Sequence, residues 1–481
     1  MENSFLNRFL FFTVLLMAVF WAVDSKTDPD LFGHTKYGLD MLEQGKILRN
    51  DIYSYSFSGA EWTNHEWLSE ITFGAVYKHA GFNGMLFLKI VITLLASFFI
   101  FRIISLYASH VFERAVLFLV IAFLMTAYTP VMRPQNFSHL FTLIYFYLFA
   151  KITLSREEKI SIPLMICFPV IMAVWVNLHG GFLSGLGLLA IFLIGHSLDR
   201  RRLDLRLFFV FLIAFLCTLI NPYGYKLYTY LYADLFVPRI CIVEWECLDP
   251  SFVPQWIYIG FCLIVLALSN KKKSFTQMLL FFSTLYLGCR YIKFFPFFLI
   301  STVMIMPSFV EDLLRNQFKI LSENPRPLRR MQKVILVLAF LFLSLTIMVK
   351  VSRSFSNPYP IEKDCYPVDA VNYMKQNNVK GNLLVNFNWA QYMIWEMYPA
   401  CKVCYDGRHR TIYPLSIEKE YFKFHFMNGE WDRILDSYPP DFIIWQADMP
   451  HAKLLKDKIE WEEIYADKEA VILRRKNKSR L

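Results

Sequence analysis

Phe9-Leu-Phe-Phe-Thr-Val-Leu-Leu-Met-Ala-Val-Phe-Trp-Ala-Val23 runs without a charge into Asp24-Ser-Lys-Thr-Asp28-Pro-Asp30, and that step from hydrocarbon-like to acidic sequence decides how the rest is read. No small-residue cleavage site follows the apolar run, so the residues near 7–23 read as a first membrane span rather than a signal peptide. Beyond it, residues 24–82 form a long first loop that holds Asp28, Asp30, His34, Asp51, Trp62, His65, Glu66 and Trp67. No other outward loop is as rich in ionisable and aromatic side chains.

Further apolar runs long enough to cross about 30 Å of hydrocarbon occur near 84–106, 115–129, 136–153, 161–177, 181–198, 207–220, 254–269, 276–289, 294–310 and 332–350. The expectation is therefore an α-helical polytopic membrane protein with about eleven transmembrane helices. Composition agrees: 56% hydrophobic residues and 47 Phe in 481 are too apolar for a soluble chain.

The formal net charge of +10 does not point to nucleic acid, because the Lys and Arg sit in short loops between spans. One set of alternate loops carries Arg8, Arg102 to Arg114, Lys151 to Arg156, Arg200-Arg201-Arg202, Lys271-Lys272-Lys273 and Arg326 to Lys333. The positive-inside bias makes these cytoplasmic, facing anionic membrane lipids. The N-terminus is then cytoplasmic, and the first loop, residues 221–253 and everything after Lys350 face outward. Two domains follow: 1–350 in the membrane, including the first loop, and 351–481 outside it. In the second, short strand-like runs at Asn382–Phe387, Lys402–Tyr405, Asp441–Trp445 and Ala470–Leu473 alternate with helical patterns such as Val368–Gln376, the mark of a small α/β domain. The 9 Cys are mostly scattered singly through apolar segments, where a thiol acts as a small hydrophobe. Only Cys241 with Cys247, and Cys365 with Cys401 or Cys404, lie where an oxidising compartment would allow a bridge.

Within the first loop, Asp30 to Gly45 and Glu66 to His79 have one apolar side each, as expected of helices lying in the membrane interface. Asp28 and Asp30 precede the first of these helices, where its dipole favours ionised carboxylates. An ionised carboxylate there serves as a general base or helps hold a divalent cation, and simple N-capping explains the pair equally well. His65 and Glu66 open the second helix as proton donor and acceptor candidates, with Trp62 and Trp67 beside them as interfacial anchors or sugar-stacking rings. In the outward turns, Arg133 and Gln135 lie in one, and Arg290 and Lys293 in another. Cations there run against the inward bias and suit an anionic phosphate. His179 in Asn177-Leu-His179-Gly-Gly181 and Glu244 in Glu244-Trp-Glu246 complete the outward candidates, together with Asp406 and Arg408 of the tail, which read as substrate contacts or as a turn with an ion pair.

The order of Asp30, Tyr37, Met41-Leu42 and Gly45 after the first span resembles the large family of GT-C membrane glycosyltransferases, and aminoarabinose and mannosyl transferases among them. Six further blocks are similar to bacterial membrane proteins labelled glycosyltransferase-like: Asp51-Ile-Tyr-Ser-Tyr-Ser, Trp62-Thr-Asn-His-Glu-Trp-Leu68, Arg133-Pro-Gln-Asn-Phe-Ser138, Trp175-Val-Asn-Leu-His-Gly-Gly181, Asn221-Pro-Tyr-Gly224 and Asp406-Gly-Arg408. The chain departs from the lipid A-modifying pattern at His65-Glu66, where those enzymes have a Pro-Pro pair. The resemblance implies a polyprenyl-linked sugar donor, a glycan, lipid or protein acceptor, Asp30 as catalytic base and a place in the bacterial inner membrane. It leaves divalent-cation dependence open. A transporter of lipid-linked saccharide would instead carry ionisable residues deep in its spans and related halves, and a noncatalytic scaffold would use the first-loop acids for packing.

Overall fold

The computed structural model describes residues 2–23, 27–128, 131–155, 161–236, 243–317 and 330–476. Each of the eleven apolar runs coincides with a helix: Glu2–Ala22, Trp67–Tyr107, Val111–Met125, Gln135–Leu154, Ile162–Leu178, Phe182–Arg200, Leu205–Cys217, Val253–Leu268, Phe275–Arg290, Phe295–Glu311 and Arg330–Ser356. Among the described residues, six segments are long and apolar enough to cross a bilayer, namely Phe5–Ala22, Trp67–Tyr107, Gln135–Leu154, Phe182–Arg200, Ile292–Gln317 and Met331–Ser356. Ile162–Leu178, Leu205–Cys217 and Val253–Leu268 are apolar but shorter.

Two compact units divide the chain, and the division differs from the boundary expected at residue 350. Residues 1–25, 82–224 and 241–358 form the first; residues 26–81, 225–240 and 359–481 form the second. The first loop thus folds with the tail rather than with the spans. The helix Trp67–Tyr107 passes from the second unit to the first at Gly81, whose φ of 57° and ψ of −153° break the helical backbone. A left-handed φ of this kind suits glycine, which has no Cβ to clash.

In the first unit the central element is Phe295–Glu311, buried at every position from Phe295 to Val310. It packs against Val111–Met125, Gln135–Leu154, Val253–Leu268 and Phe275–Arg290. Met331–Ser356 is the opposite case, with only 6% of its apolar window covered by protein, so its surface suits lipid.

The second unit is built on a five-stranded sheet, β1 (Gly381–Val385), β2 (Cys401–Val403), β3 (Phe442–Gln446), β4 (Trp461–Ala466) and β5 (Ala470–Arg475), in the order β2-β1-β3-β5-β4. Strands β2, β1 and β3 are parallel, whereas β5 is antiparallel to β3 and β4. Expectation missed only β4, whose Trp-Glu-Glu-Ile-Tyr-Ala sequence is half exposed at a sheet edge and so lacks an apolar run.

Backbone hydrogen bonds explain why the first loop belongs here. Tyr55 N–H donates to the Val403 carbonyl at 3.0 Å and Val403 N–H to Tyr53 at 3.1 Å, so the loop extends the sheet beyond β2. An open strand edge is a row of unpaired amides and carbonyls, and the loop covers it. The helix Pro29–Gln44 buries Leu31, Phe32, Thr35, Tyr37 and Met41 and packs on Phe387–Met397. Its apolar face, expected to meet lipid, is covered by protein of its own unit. Trp389 and Tyr392 of Phe387–Met397 are 3% and 2% exposed and belong to the core. Cys365, Cys401 and Cys404 are free thiols, and Cys241 lies outside the described residues.

Candidate active site in the first loop

Two helices of the second unit cross through glycine. A Cβ placed on Gly38 would lie 1.8 Å from the Glu70 carbonyl oxygen, and one on Gly74 would lie 2.5 Å from the Gly38 carbonyl carbon. Backbones can approach this closely only where neither residue has a side chain. One helical turn before Gly38 stands His34, and one turn before Gly74 stands Glu70. The crossing therefore brings their side chains together, with His34 Nδ1 3.0 Å from Glu70 Oε1. Glu66, four residues before Glu70 and on the same helical face, puts Oε2 3.9 Å from His34 Nε2. Asp30, four residues before His34, belongs to the same face of the other helix.

The electrostatics follow from this clustering. Burial disfavours a charged His34, but the hydrogen bond to Glu70 and the charges of Glu66, Glu70 and Asp30 outweigh it, raising the imidazole to about 9. At neutral pH His34 is an imidazolium held among carboxylates. Asn64 orients both glutamates: its amide N–H donates to Glu70 Oε2, and its Oδ1 accepts the Glu66 backbone N–H at 3.1 Å. His65 Nε2 lies 3.8 Å from Glu66 Oε1 at the rim.

Asp30 is half-buried, and the tail approaches it. A Cβ on Gly407 would meet Asp30 Oδ1 at 3.2 Å and Gln391 Nε2 at 2.4 Å, while one on Gly33 would meet Gln391 Oε1 at 2.4 Å. Gln391 is thus wedged between two glycines beside Asp30. It is 3% exposed, and its Oε1 accepts no hydrogen bond from the described residues.

Two expected site groups have other work. Asp28 caps the helix Pro29–Gln44, its Oδ1 accepting the Asp30 backbone N–H at 3.0 Å, so the capping alternative explains it. Asp406 and Arg408, 0% and 6% exposed, form a buried structural node rather than a substrate surface. The Arg408 guanidinium donates to Asp51 Oδ1 at 2.7 Å and to both oxygens of Asp406, at 2.9 and 2.7 Å. Tyr37, Tyr53 and Trp62 enclose it with ring centroids 5.3, 5.1 and 5.0 Å from Cζ. Trp62, expected as an interfacial anchor or sugar platform, is 2% exposed in this cage. Burial works against ionising Asp406, yet the charge and hydrogen bonds of Arg408 and the Tyr413 hydroxyl hold its carboxyl below the ordinary range.

The remaining candidates belong to the first unit, in two groups. Ser138 accepts the Trp175 indole N–H at 2.7 Å and lies 2.7 Å from His179 Nδ1, which also accepts the Gly181 N–H at 3.0 Å. With Nδ1 accepting, the ring proton sits on Nε2. This joins the block containing Arg133, Gln135 and Ser138 to that containing His179. In the second group the turn Val243–Trp245 pairs with residues 289–293 through Ile292 N–H to Glu246 O at 3.0 Å and Leu248 N–H to Cys289 O at 2.9 Å. Glu244 and Arg290 are exposed there, Arg290 reaching Cys247 Sγ at 3.4 Å, and Lys293 lies over the Trp245 ring.

No protein-family model matches the chain, and no curated protein matches it in sequence. Solved structures do. ArnT from Cupriavidus metallidurans bound to undecaprenyl phosphate superposes with a TM-score of 0.56 at 11% identity, covering 96% of this chain and 97% of that one. The archaeal oligosaccharyltransferase AglB from Archaeoglobus fulgidus, in complex with an inhibitory peptide and a dolichol-phosphate, gives 0.61 at 8% identity over 93% of this chain and 70% of that one. The chain has the GT-C fold. In this GT-C chain, His34, Glu70 and Gln391 escaped sequence reasoning as site members. The four-residue spacings Asp30 to His34 and Glu66 to Glu70 were the available signal for the first two; nothing local marks Gln391.

Proposed function

We propose that this protein transfers a sugar from a polyprenyl-phosphate or pyrophosphate donor to an extracytoplasmic glycan, lipid or protein acceptor, with inversion at the anomeric carbon. The observation that carries the proposal is the gathering of Asp30, His34, Glu66 and Glu70 on two crossed helices of the first loop, in a chain with the fold of ArnT and AglB. Both of those proteins were solved with a lipid phosphate, undecaprenyl phosphate in one and dolichol-phosphate in the other.

Asp30 takes the proton from an acceptor hydroxyl, whose oxygen attacks the anomeric carbon as the bond to phosphate oxygen breaks. The leaving lipid phosphate carries away the bonding electrons. Arg133, Arg290 and Lys293 stabilise that developing charge, the part of the reaction where fixed cations contribute most. Gln135, His179 and Glu244 bind the donor and sugar hydroxyls, and His65 with Glu66 lines the acceptor side.

The test is incubation of the purified protein with a panel of polyprenyl-linked sugars, followed by mass spectrometry of lipids and candidate acceptors. A mass gain of one sugar on an acceptor that disappears in Asp30→Asn supports the reading. Undiminished transfer by Asp30→Asn removes Asp30 as the base.

A further inference from the structure

We infer that His34, Glu66 and Glu70 form a binding site for a divalent transition-metal ion. One imidazole nitrogen and two carboxylate oxygens, one from each residue, lie within 4.8 Å of one another, close enough for a single ion to take all three. Imidazole with carboxylate suits zinc and its neighbours, and three protein donors leave at least one position for water or a substrate oxygen, the arrangement of catalytic rather than structural sites.

The supporting shell is present. Asn64 donates to one oxygen of Glu70, leaving the other directed at His34, and the same Asn64 holds the Glu66 backbone. Such outer contacts orient metal ligands and raise affinity. The Gly38–Gly74 crossing fixes the two helices that carry the donors.

An independent observation concerns Tyr37. Its ring meets that of His34 edge-on, with centroids 6.5 Å apart, it is 0% exposed, and its hydroxyl has no hydrogen-bond partner among the described residues. A buried hydroxyl without a protein partner is normally explained by an ordered water or ion. Tyr37 lies in the field of Asp406 and Arg408 first, and then in that of Glu70. A metal-bound water beside Glu70 would supply the partner.

The ion would serve the transfer proposed above by holding an acceptor or phosphate oxygen next to Asp30, yet its binding is measurable apart from any transfer.

The full-length protein, purified in detergent and stripped with a chelator, is titrated with Zn²⁺ and, in a second arm, Mn²⁺. Bound metal is counted by elemental analysis and affinity read by calorimetry. The expected result is about one zinc ion per chain. Affinity should fall at least about tenfold in His34→Ala and in Glu66→Gln, since even outer-shell changes cost that much. Glu66 is the more exposed ligand, with a side chain 18% accessible, so its variant tests the site without emptying the core. Asp30→Asn should keep its metal while losing transfer, which separates this inference from the choice of base. Absence of stoichiometric uptake of either ion by the native protein, or uptake unchanged in both His34→Ala and Glu66→Gln, overturns it.

Discussion

Asp28 and Asp30 are two residues apart and chemically identical, and their surroundings give them different tasks. The Asp28 carboxylate is spent on the first turn of its helix, whereas Asp30 faces Gln391, Gly407 and the His34 cluster. Replacing Asp30 by Asn keeps the shape and removes the proposed base. Transfer should drop about 10²- to 10⁴-fold, with a thermal midpoint close to that of the native protein, as measured by product mass spectrometry beside a melting curve. Arg408 makes the contrasting case. Changing it to Met strands Asp51 and Asp406 as buried charges, a loss of about 3–5 kcal/mol, visible as a fall in the melting midpoint. The pH response follows from Asp406. Its folded pKa lies below the unfolded value of about 3.9, so its contribution is fully present above that value and disappears as pH falls through the lower folded one. Melting midpoints taken from pH 7 downward should stay level on account of this group until about pH 4, then decline. In Arg408→Met that part of the acid limb should be missing. The sequence announced Asp406-Gly-Arg408 as a distinctive block, but a motif cannot show whether its charges face a substrate or each other; that depends on Asp51, which is remote in sequence.

Among the elements, the helices of the spans were legible because the bilayer imposes long apolar runs, and β1, β2, β3 and β5 because each carries a short apolar core. The helix Pro29–Gln44 was legible as amphipathic but not in its partner. A stripe of Leu31, Phe32, Tyr37 and Met41 looks the same whether it meets lipid or the helix Phe387–Met397, and only the tertiary fold distinguishes them. The crossing of this helix with residues 67–80 leaves a fainter trace, two glycines at Gly38 and Gly74. Gly38→Ala puts a methyl group onto the Glu70 backbone, which cannot swing aside. The helices must separate, costing about 1–3 kcal/mol and loosening the His34–Glu70 pair. A lower melting midpoint with weakened zinc uptake is the expected outcome. Gly260→Ala, in a helix where an added Cβ meets nothing within 4 Å, should leave both unchanged and serves as the control.

For the whole molecule, orientation depends on a parity. With a cytoplasmic N-terminus, the tail lies outside only if an odd number of helices cross before it. Six segments are long enough by themselves, and Val111–Met125, Ile162–Leu178, Leu205–Cys217, Val253–Leu268 and Phe275–Arg290 supply the other five expected crossings. Leu205–Cys217 is the most demanding: its 13 residues rise only about 20 Å at 1.5 Å each, against about 30 Å of hydrocarbon. The charges favour the crossing all the same, since Arg200-Arg201-Arg202 precede it and Asn221-Pro-Tyr-Gly224 follow, an asymmetry that holds the basic end inside. Were any one of the five to fail, the tail would face the cytoplasm, and Lys271-Lys272-Lys273 would face outward whenever the failing helix precedes them in the chain. Cys365 reports the outcome directly, because its thiol is free and exposed on the tail. In intact cells expressing a variant with Cys167, Cys241 and Cys247 changed to Ser, a membrane-impermeant maleimide should label Cys365 without permeabilisation. With Cys365 also changed to Ser and Lys272→Cys introduced, label should enter only after the membrane is opened. The reverse pattern would place the first-loop cluster, which folds with the tail, on the cytoplasmic face and exclude an extracytoplasmic acceptor.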